Sequence, residues 1–480
     1  MKLSALLAGL EYTLTGPDVD LSDFQYDSRR IQPGEGFICL VGTATDGHRY
    51  IRQAEQAGAA ALIVEHPVES HLPQAVVADT RKAMSVMAEH YYGDPADGIS
   101  MIGVTGTNGK TTTTYMIKAI LTRENQKTGL IGTVAHLAGE ENLGASMTTP
   151  EPKELQGLFR RMADRRCENI VMEVSSHALS QGRVYGVEFD VAVFSNLTQD
   201  HLDYHGDMET YASEKKKLFR QCRHAVINRD DPYGAYMAKG LDVPVTYYGI
   251  GEPCDVYATD VITHADGVEY TLHVGEKTRH IRVGIPGRFT VYNSLAAIGA
   301  CLCHGLGLDE VAEGASAIQG VPGRAEVVPT PGTGYTVLLD YSHTPDSLKN
   351  ILETAREFTR GRIITVFGCG GDRDPQKRPM MGRVAGELSD YCVVTSDNPR
   401  TEDPMAIIRA ILPGVEETGC PHAVVENRRE AIRHAMIYAK QDDVILLAGK
   451  GHEPYQEIGH VRHPFDEKIV VAELLAELRS

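Results

Sequence analysis

The sequence predicts an α/β protein built on mostly parallel sheets, and three observations carry that expectation. Continuous apolar runs such as "NIVMEV", "DVAVFSNL", "RIITVFG", "YCVVTS" and "DVILLAG" alternate with stretches of helical periodicity. Strands that are apolar throughout are those covered by helices on both faces. Two turn-rich stretches, "YYGDPADG" (91–98) and "VPGRAEVVPTPGTG" (321–334), stand just before fresh strands, "ISMIGVT" and "YTVLLDYSH", and read as seams. A length of 480 residues suits about three domains. The expected boundaries are 1–97, 98–327 and 328–480.

The opening "MKLSALLAGLEYTLTG" reads as a first helix. Its apolar run is short and broken by glutamate, so neither a membrane span nor a cleavable leader is predicted. In the middle piece the strand "ISMIGVT" leads into the helix "TTTTYMIKAILTREN". Between 254 and 285 the pattern changes to alternation with period two around turn residues, which predicts a small antiparallel sheet added to that domain. The last piece returns to strand and helix in alternation.

Composition bounds the function. With 42 % hydrophobic and 23 % charged residues the chain is of the soluble globular class. A formal charge of −18 argues against nucleic acid or an anionic membrane as partner. Anionic substrates would therefore need locally gathered cations. The nine cysteines contain no C-x-x-C pair, the nearest two being Cys301 and Cys303, which fits reduced thiols and a cytoplasmic protein. A monomer with small-molecule substrates is expected.

The strongest motif is "GVTGTNGKTTTT" (103–114). A strict phosphate loop reads G-x-x-x-x-G-K-[ST], and the opening glycine is here Val104, with Gly106 two places later. The context is nevertheless that of a phosphate loop, an apolar strand before it and a helix starting within it. Gly106 and Gly109 let backbone N–H groups face a phosphate at a helix N-terminus. Lys110 would neutralise the β- and γ-phosphates, and the Thr111 hydroxyl would ligate Mg²⁺.

Further motifs follow the strands. "VMEVSSHAL" ends a buried strand on Glu173, at the edge where open sheets place ligand groups. "SNLTQDHLDYHGDMETYASEKKKLF" follows the next strand. His201 and His205 are spaced as zinc ligands on a helix would be, but no H-E-x-x-H is present, and Asp200, Asp203 and Asp207 suit hard cations better. The run Lys215-Lys216-Lys217, taken alone, is a solvated helical face from which one lysine at most could reach a site. "MTTPEPKEL" reads as a helix start with Thr149 as N-cap and Pro150 at the first helical position. "FGCGGDRD" resembles a dinucleotide fingerprint but has Arg373 at the third glycine position, so NAD binding is a poor reading.

The loop "TGTNGKTT" resembles the ATP loop of the Mur ligases and their folylpolyglutamate synthetase relatives, in which the first glycine is commonly replaced. The resemblance runs through the whole chain and implies the three-domain Mur ligase architecture: a UDP-MurNAc-binding first domain, a P-loop-type central ATPase domain, and a Rossmann-like amino-acid-binding last domain. It implies an ATP-dependent amide ligase of peptidoglycan precursor synthesis. The motifs agree best with members that join meso-2,6-diaminopimelate to UDP-N-acetylmuramoyl-L-alanyl-D-glutamate through an acyl phosphate.

By that resemblance Gly106, Thr107, Asn108, Gly109, Lys110, Thr111 and Thr112 bind ATP. "GRFTVYNSLAA", "VPGRAE" and "DYSHTPDSL" add Asn293, Arg324, Asp340 and His343. Glu173 and His201 are implied as Mg²⁺ ligands. A lysine four places after a tyrosine is carbamylated in the family; Tyr211 selects Lys215, whose carbamate would hold a second Mg²⁺. Burial favours this chemistry because it lowers an amine's pKa, and the neutral amine captures CO₂. Thr148, Thr149, Ser175, Gln181 and Arg183 are implied contacts of the muramoyl peptide. "YDSRR" and "VGTATDGHRY" assign Ser28, Thr43, Ala44 and Thr45 to the uridine diphosphate. "SDNPRTEDP" and "AGKGHEPYQ" assign Arg373, Asp397, Asn398, Pro399, Arg400, Gly449 and Glu453 to the incoming diamino acid. His177 and His343 are both candidates for the base that deprotonates the amine. A folylpolyglutamate-synthetase-like ligase is an alternative that lacks the first domain and the "DNPR" pocket. A nucleotide-gated binding protein on the same fold is a second, and would not release phosphate in response to both substrates.

Overall fold

The computed structural model describes residues 1–42, 45–145 and 147–479, with the side chain of Asp203 outside the description. The chain forms two compact units, Met1–Tyr248 with Gly299–Leu306, and Gly249–Ile298 with Gly307–Ser480.

The first unit opens with a helix shorter than predicted, Leu3–Leu6, because Gly9 takes a left-handed turn (φ +79°). The following Tyr12–Thr15 is a strand, antiparallel to Gln74–Val77 at the edge of a five-stranded sheet. The other strands, Ala61–Val64, Gly36–Ile38 and Phe24–Gln25, run parallel. Successive residues of Ala61–Val64 feed different cores: Ile63 packs with Leu3, Leu6, Met84 and Met87, whereas Leu62 and Val64 pack with Phe37, Cys39 and Ile51. A strand buried on both faces leaves no polar alternation, which is why it reads as a plain apolar run.

Six parallel strands follow in the spatial order Thr128–Ile131, Asn169–Glu173, Ser100–Thr105, Phe189–Phe194, Cys222–Asn228 and Val245–Ile250, all within the first unit except the last two residues of the sixth. Two short antiparallel strands, His136–Ala138 and Glu141–Asn142, extend the edge beside Thr128–Ile131. The chain builds to one side of Ser100–Thr105 and then crosses to the other. Its carboxyl end is therefore a topological switch point, the place where open α/β sheets bind ligands. The helix Lys110–Arg123 starts there, one residue earlier than predicted.

In the second unit the predicted antiparallel sheet is present as the meander Val256–His264, Gly267–Val274 and Lys277–Val283. A further sheet has the order Glu326–Val328, Thr336–Asp340, Val444–Ala448, Ile363–Phe367, Tyr391–Val394 and His422–Val424, parallel except for the first pair. One of its faces packs Leu339, Ile364, Val366 and Leu447 against Ala431, Ile432, Val471 and Leu474. The α/β class with mostly parallel sheets is borne out.

Candidate functional site

At the switch point the chain turns through Gly106 (φ +151°) and Gly109 (φ +85°), the latter capping the helix Lys110–Arg123. A Cβ on Gly106 would collide with Ser195 and press on the backbone of Asn196, so the opening turn requires glycine. The segment 195–198 cradles the loop. Thr107 N–H donates to the Asn196 carbonyl (2.9 Å), Asn108 N–H to Asn196 Oδ1 (2.9 Å), and Ser195 Oγ to the Asn108 carbonyl (2.6 Å). Lys110 folds back over the loop, its ammonium donating to the carbonyls of Gly106 (2.9 Å) and Thr107 (2.8 Å). The buried Thr111 hydroxyl donates to Glu173 Oε1 (3.0 Å), and Thr112 is buried beside it in the chain.

Glu173 ends its strand with a side chain only 1 % exposed. Its carboxylate also accepts from Thr133 N–H (2.9 Å) and the Thr133 hydroxyl (3.1 Å). Thr133 shares a hydrogen bond with Thr148 (2.9 Å), and the Thr149 hydroxyl donates to the Glu173 carbonyl (2.9 Å) while accepting Ser175 N–H (3.1 Å). This corrects the predicted helix start. With its hydroxyl spent on the neighbouring strand, Thr149 caps nothing, and the helix is Pro152–Asp164 with Glu151 as N-cap. Ser175 instead caps the short helix Ser176–Ser180, accepting Ala178 N–H. Arg183 donates to the Thr149 carbonyl (2.9 Å) and to Gln181 Oε1 (2.7 Å), and pairs with Glu151 (2.8 Å). Thr148, Thr149, Ser175, Gln181 and Arg183 thus belong to one connected polar patch abutting Glu173.

The segment after Phe189–Phe194 separates the two histidines. His205 is buried and hydrogen-bonded to the Ser176 hydroxyl (2.9 Å), a packing role. His201 takes a left-handed backbone (φ 53°), and its half-exposed ring stands 4.8 Å from that of His177. The lysine run divides. Lys217 pairs with Glu214 (2.6 Å), and Lys216 donates to the carbonyls of Tyr236 (2.7 Å) and Lys239 (2.6 Å). Lys215 is 1 % exposed and donates to the Gly106 carbonyl (2.8 Å), 4.5 Å over the Tyr211 ring. Burial, reinforced by the charge of Lys110 and opposed by Asp200, holds its amine well below the ordinary lysine pKa. Tyr211, pushed up to about 12 by burial, shares a hydrogen bond with Thr107 (3.1 Å). Among the described residues no three His, Cys, Asp or Glu side chains gather as a ready metal site. The oxygen donors of Thr111 and Glu173 suit a hard cation such as Mg²⁺, and Lys215 would contribute oxygens only as a carbamate.

Near the start of the first unit Ser28 donates to Gln53 (3.0 Å) and Thr45 shares a hydrogen bond with Tyr50 (3.1 Å). Both are thereby tied to the stretch Gly47–Gln56; Thr43 and Ala44 lie outside the described residues. In the second unit Asp340 accepts Ala325 N–H (2.9 Å) and Ser342 N–H (3.0 Å), fixing the turn that presents Arg324 against the Tyr341 ring (5.3 Å). Asn293 is buried in the helix Arg288–His304. His343 leans on the same tyrosine (4.7 Å), its pKa lowered by burial.

The "DNPR" and "GKGHE" segments meet at the carboxyl edge of the second unit's parallel sheet. Asn398 donates to Glu453 (2.8 Å) and accepts Lys450 Nζ (3.0 Å). A Cβ on Gly449 would strike the Asp397 carboxylate. Arg400 (φ 49°) donates to the Gly371 carbonyl (2.6 Å), and both it and the exposed Arg373 flank Gly370. Pro399 is buried between them in the chain. Residues missed by sequence reasoning complete the set. Arg428, fully buried, donates to Glu467 (2.7 Å) and the Ala448 carbonyl (2.9 Å) and faces Asp397 at 3.7 Å. In the first unit the missed residues are Thr133, Ser195, Asn196 and Tyr204, the last accepting from Gln181 (3.2 Å). Thr133, Ser195 and Asn196 carry a signal of position, each following a strand's carboxyl end, whereas Tyr204 lies on the short helix Leu202–His205.

Comparison with known proteins matches three family models in chain order: "Mur ligase family, catalytic domain" over 22–92, "Mur ligase middle domain" over 104–301, and "Mur ligase, glutamate ligase domain" over 323–451. A relative from Clostridium botulinum, named UDP-N-acetylmuramoyl-L-alanyl-D-glutamate–2,6-diaminopimelate ligase, is 46 % identical over 100 % of both chains. A solved structure of a ligase of the same name is 30 % identical, covers 100 % of this chain and 99 % of its own, and superposes with a TM-score of 0.72. The fold is shared with the Thermotoga maritima MurF ligase solved with ADP, 18 % identical over 95 % of this chain and 98 % of its own, with a TM-score of 0.59.

Proposed function

The chain belongs to the Mur ligase family and is a ligase, and we propose that it joins meso-2,6-diaminopimelate to UDP-N-acetylmuramoyl-L-alanyl-D-glutamate at the expense of ATP, as a cytoplasmic step of peptidoglycan precursor synthesis. The observation that carries this reading is the convergence at one switch point of a glycine-turned loop, the Thr111–Glu173 pair and the buried amine of Lys215. Length agrees, since the Clostridium botulinum relative is covered from end to end. The absence of any described helix long and apolar enough to cross a membrane is compatible with the compartment. The seams at 97/98 and 327/328 are proposed as functional domain limits, supported by the order of the three family models.

A carboxylate is a poor electrophile, and the reaction makes it a good one. An oxygen of the D-glutamate γ-carboxylate attacks the γ-phosphorus, the bond to the β-phosphate oxygen breaks, and ADP leaves. The amine of diaminopimelate then attacks the acyl carbon, losing a proton as inorganic phosphate departs and the amide forms. The protein supplies positioning and charge. Lys110, now bonded to loop carbonyls, turns to the β- and γ-phosphates, while the loop N–H groups and the helix N-terminus face the same anion. Arg183, with Thr148 and Thr149, orients the muramoyl peptide towards Glu173 and the loop. Thr111, Glu173, His201 and a carbamate on Lys215 would hold Mg²⁺, which when bound screens phosphate charge.

In the amino-acid pocket Arg400 and Arg373 would receive the distal carboxylate that distinguishes diaminopimelate from lysine, Arg by two parallel hydrogen bonds. Glu453 and Asp397 would take the ammonium groups. Phosphate release measured with each substrate omitted in turn tests the reading. Release must require ATP, the carboxylate substrate and the diamino acid together; release with ATP alone contradicts it.

A further inference from the structure

The turn after the strand Val444–Ala448 carries a lysine to which none of the steps above gives a task. Lys450 follows Gly449, where the backbone is left-handed (φ +114°). Its side chain is 0 % exposed, so its ammonium reaches a ligand only through its neighbours. A charge taken out of water is kept only where partners replace the lost solvation. Those partners are the amide oxygen of Asn398 (3.0 Å), Glu453 Oε2 (3.6 Å) and the Tyr455 ring, 5.6 Å away.

Asn398, itself buried, is the first link. Its Oδ1 accepts Lys450 Nζ and Glu457 N–H (2.9 Å), while its Nδ2 donates to Glu453 Oε2 (2.8 Å). Two donors on one side and a carboxylate on the other admit one orientation of the amide. Turned over, its NH₂ would face an ammonium and an N–H. The hairpin of Tyr455–Ile458 and Val461–Pro464 supplies the second donor and is laced to the same segment. Gln456 Nε2 donates to the Asp397 carbonyl (2.7 Å), Arg400 N–H to the Glu457 carbonyl (3.1 Å), and Gly459 N–H to the Arg400 carbonyl (2.7 Å). The hairpin thus fixes the backbone of 397–400, and Lys450 fixes the side chain of Asn398.

Glu453 is the receiving end, with a side chain 17 % exposed. Asn398 Nδ2 and Lys450 Nζ both address its Oε2, and among the described residues nothing donates to its Oε1. One oxygen anchors the carboxylate and the other is left to a ligand. Without Lys450 the Asn398 amide would lose one of the two donors that orient it, and Glu453 would lose a direct partner as well.

We propose that Lys450 is a positioning residue of the amino-acid pocket: its buried ammonium sets the Asn398 amide and, through it, the Glu453 oxygen that receives an ammonium group of the incoming diamino acid. This role rests on the reading of the second unit as the part that binds the amino acid. A task confined to stability would not explain why the chain of contacts ends on a carboxylate with one oxygen unclaimed.

Steady-state phosphate release by the full chain tests this, with ATP, the carboxylate substrate and meso-diaminopimelate varied in turn. The proteins compared are wild type, Lys450→Met, Glu453→Gln and the double variant. Lys450→Met should raise KM for diaminopimelate about tenfold or more, the worth of a hydrogen bond to a charged group. Its kcat and the other two KM values should stay within about twofold of wild type. In the double variant KM for diaminopimelate should match that of Glu453→Gln alone within about twofold, because Lys450 acts through the group already removed. Lys450→Gln, which keeps an N–H donor on a neutral side chain, should fall between wild type and Lys450→Met, and it carries the test if the methionine variant does not fold. An unchanged KM for diaminopimelate, an equal rise in all three KM values, or multiplied effects in the double variant would overturn the role of Lys450 and leave the ligase reading intact. A wild-type protein whose phosphate release ignores diaminopimelate would instead overturn that reading, and the role of Lys450 with it.

Discussion

The amine of Lys215 lies 2.8 Å from the carbonyl oxygen of Gly106, the glycine that turns the nucleotide loop. A helix and a loop more than a hundred residues apart in sequence therefore meet through one buried nitrogen. That contact singles out Lys215 from its two neighbours and leads to the first predictions.

Lys215→Met should reduce ligation by at least about a hundredfold, whereas Lys217→Ala, which loses an exposed pair with Glu214, should stay near wild type. Steady-state phosphate release on the three proteins checks this. In wild type, exhaustive removal of CO₂ and bicarbonate should lower the rate, and bicarbonate should restore it. Insensitivity to bicarbonate would exclude a functional carbamate.

The same substitution should stabilise the fold. The folded-state pKa of Lys215 lies below its ordinary 10.5, so the unfolded chain binds more protons and stability rises with pH between those two values. At neutral pH, in bicarbonate-free buffer, the unfolded amine is protonated while burial penalises the folded one. Lys215→Met removes that penalty, so its melting temperature should exceed that of wild type at pH 7 and the gain should shrink as pH approaches 10.5. A lower melting temperature at pH 7 would contradict the burial argument.

Lys110→Ala removes the charge that faces the transferring phosphoryl group. Turnover should fall about 10²–10³-fold, with the circular dichroism spectrum little changed, because the ammonium bonds carbonyls of the loop rather than packing in a core. Near-normal turnover would remove the loop from the chemistry.

Arg428→Met should cost about 3–5 kcal/mol of stability, since it strands Glu467 and Asp397 without their buried cation. Combining it with Glu467→Leu should recover much of that loss, because two apolar side chains replace a buried ion pair. Chemical denaturation of the two variants measures both effects. Equal stability of the single variant and wild type would show that the pair contributes nothing.

The sequence made the nucleotide loop and its strands legible because their signals are local. Strands apolar on both faces and glycines at fixed spacing need no knowledge of the rest of the chain. The helix start at Pro152 was misread for the opposite reason: Thr149 has the chemistry of an N-cap, but a carbonyl on a distant strand takes its hydroxyl. The first helix was overextended because "EYTLT" gains its strand partner only from Gln74–Val77. Arg428 carried no readable signal, since its partners Glu467, Ala448 and Asp397 come from three separate segments. Lys215 was selected by resemblance, and its burial supplied the physical reason that spacing alone could not.

We propose that the second unit's pocket selects an amino acid with a carboxylate at its far end. Arg400 and Arg373 both flank Gly370, and a distal carboxylate would give Arg400 a second anion beside Glu457, which faces it at 3.7 Å, a charge-assisted contact that lysine cannot make. Competition kinetics with meso-diaminopimelate and L-lysine, on wild type and Arg400→Ala, measure that selection most directly. Wild type should prefer diaminopimelate by at least about a hundredfold, and Arg400→Ala should lose most of the preference through poorer use of diaminopimelate. Equal use of lysine by the wild-type protein would contradict the account.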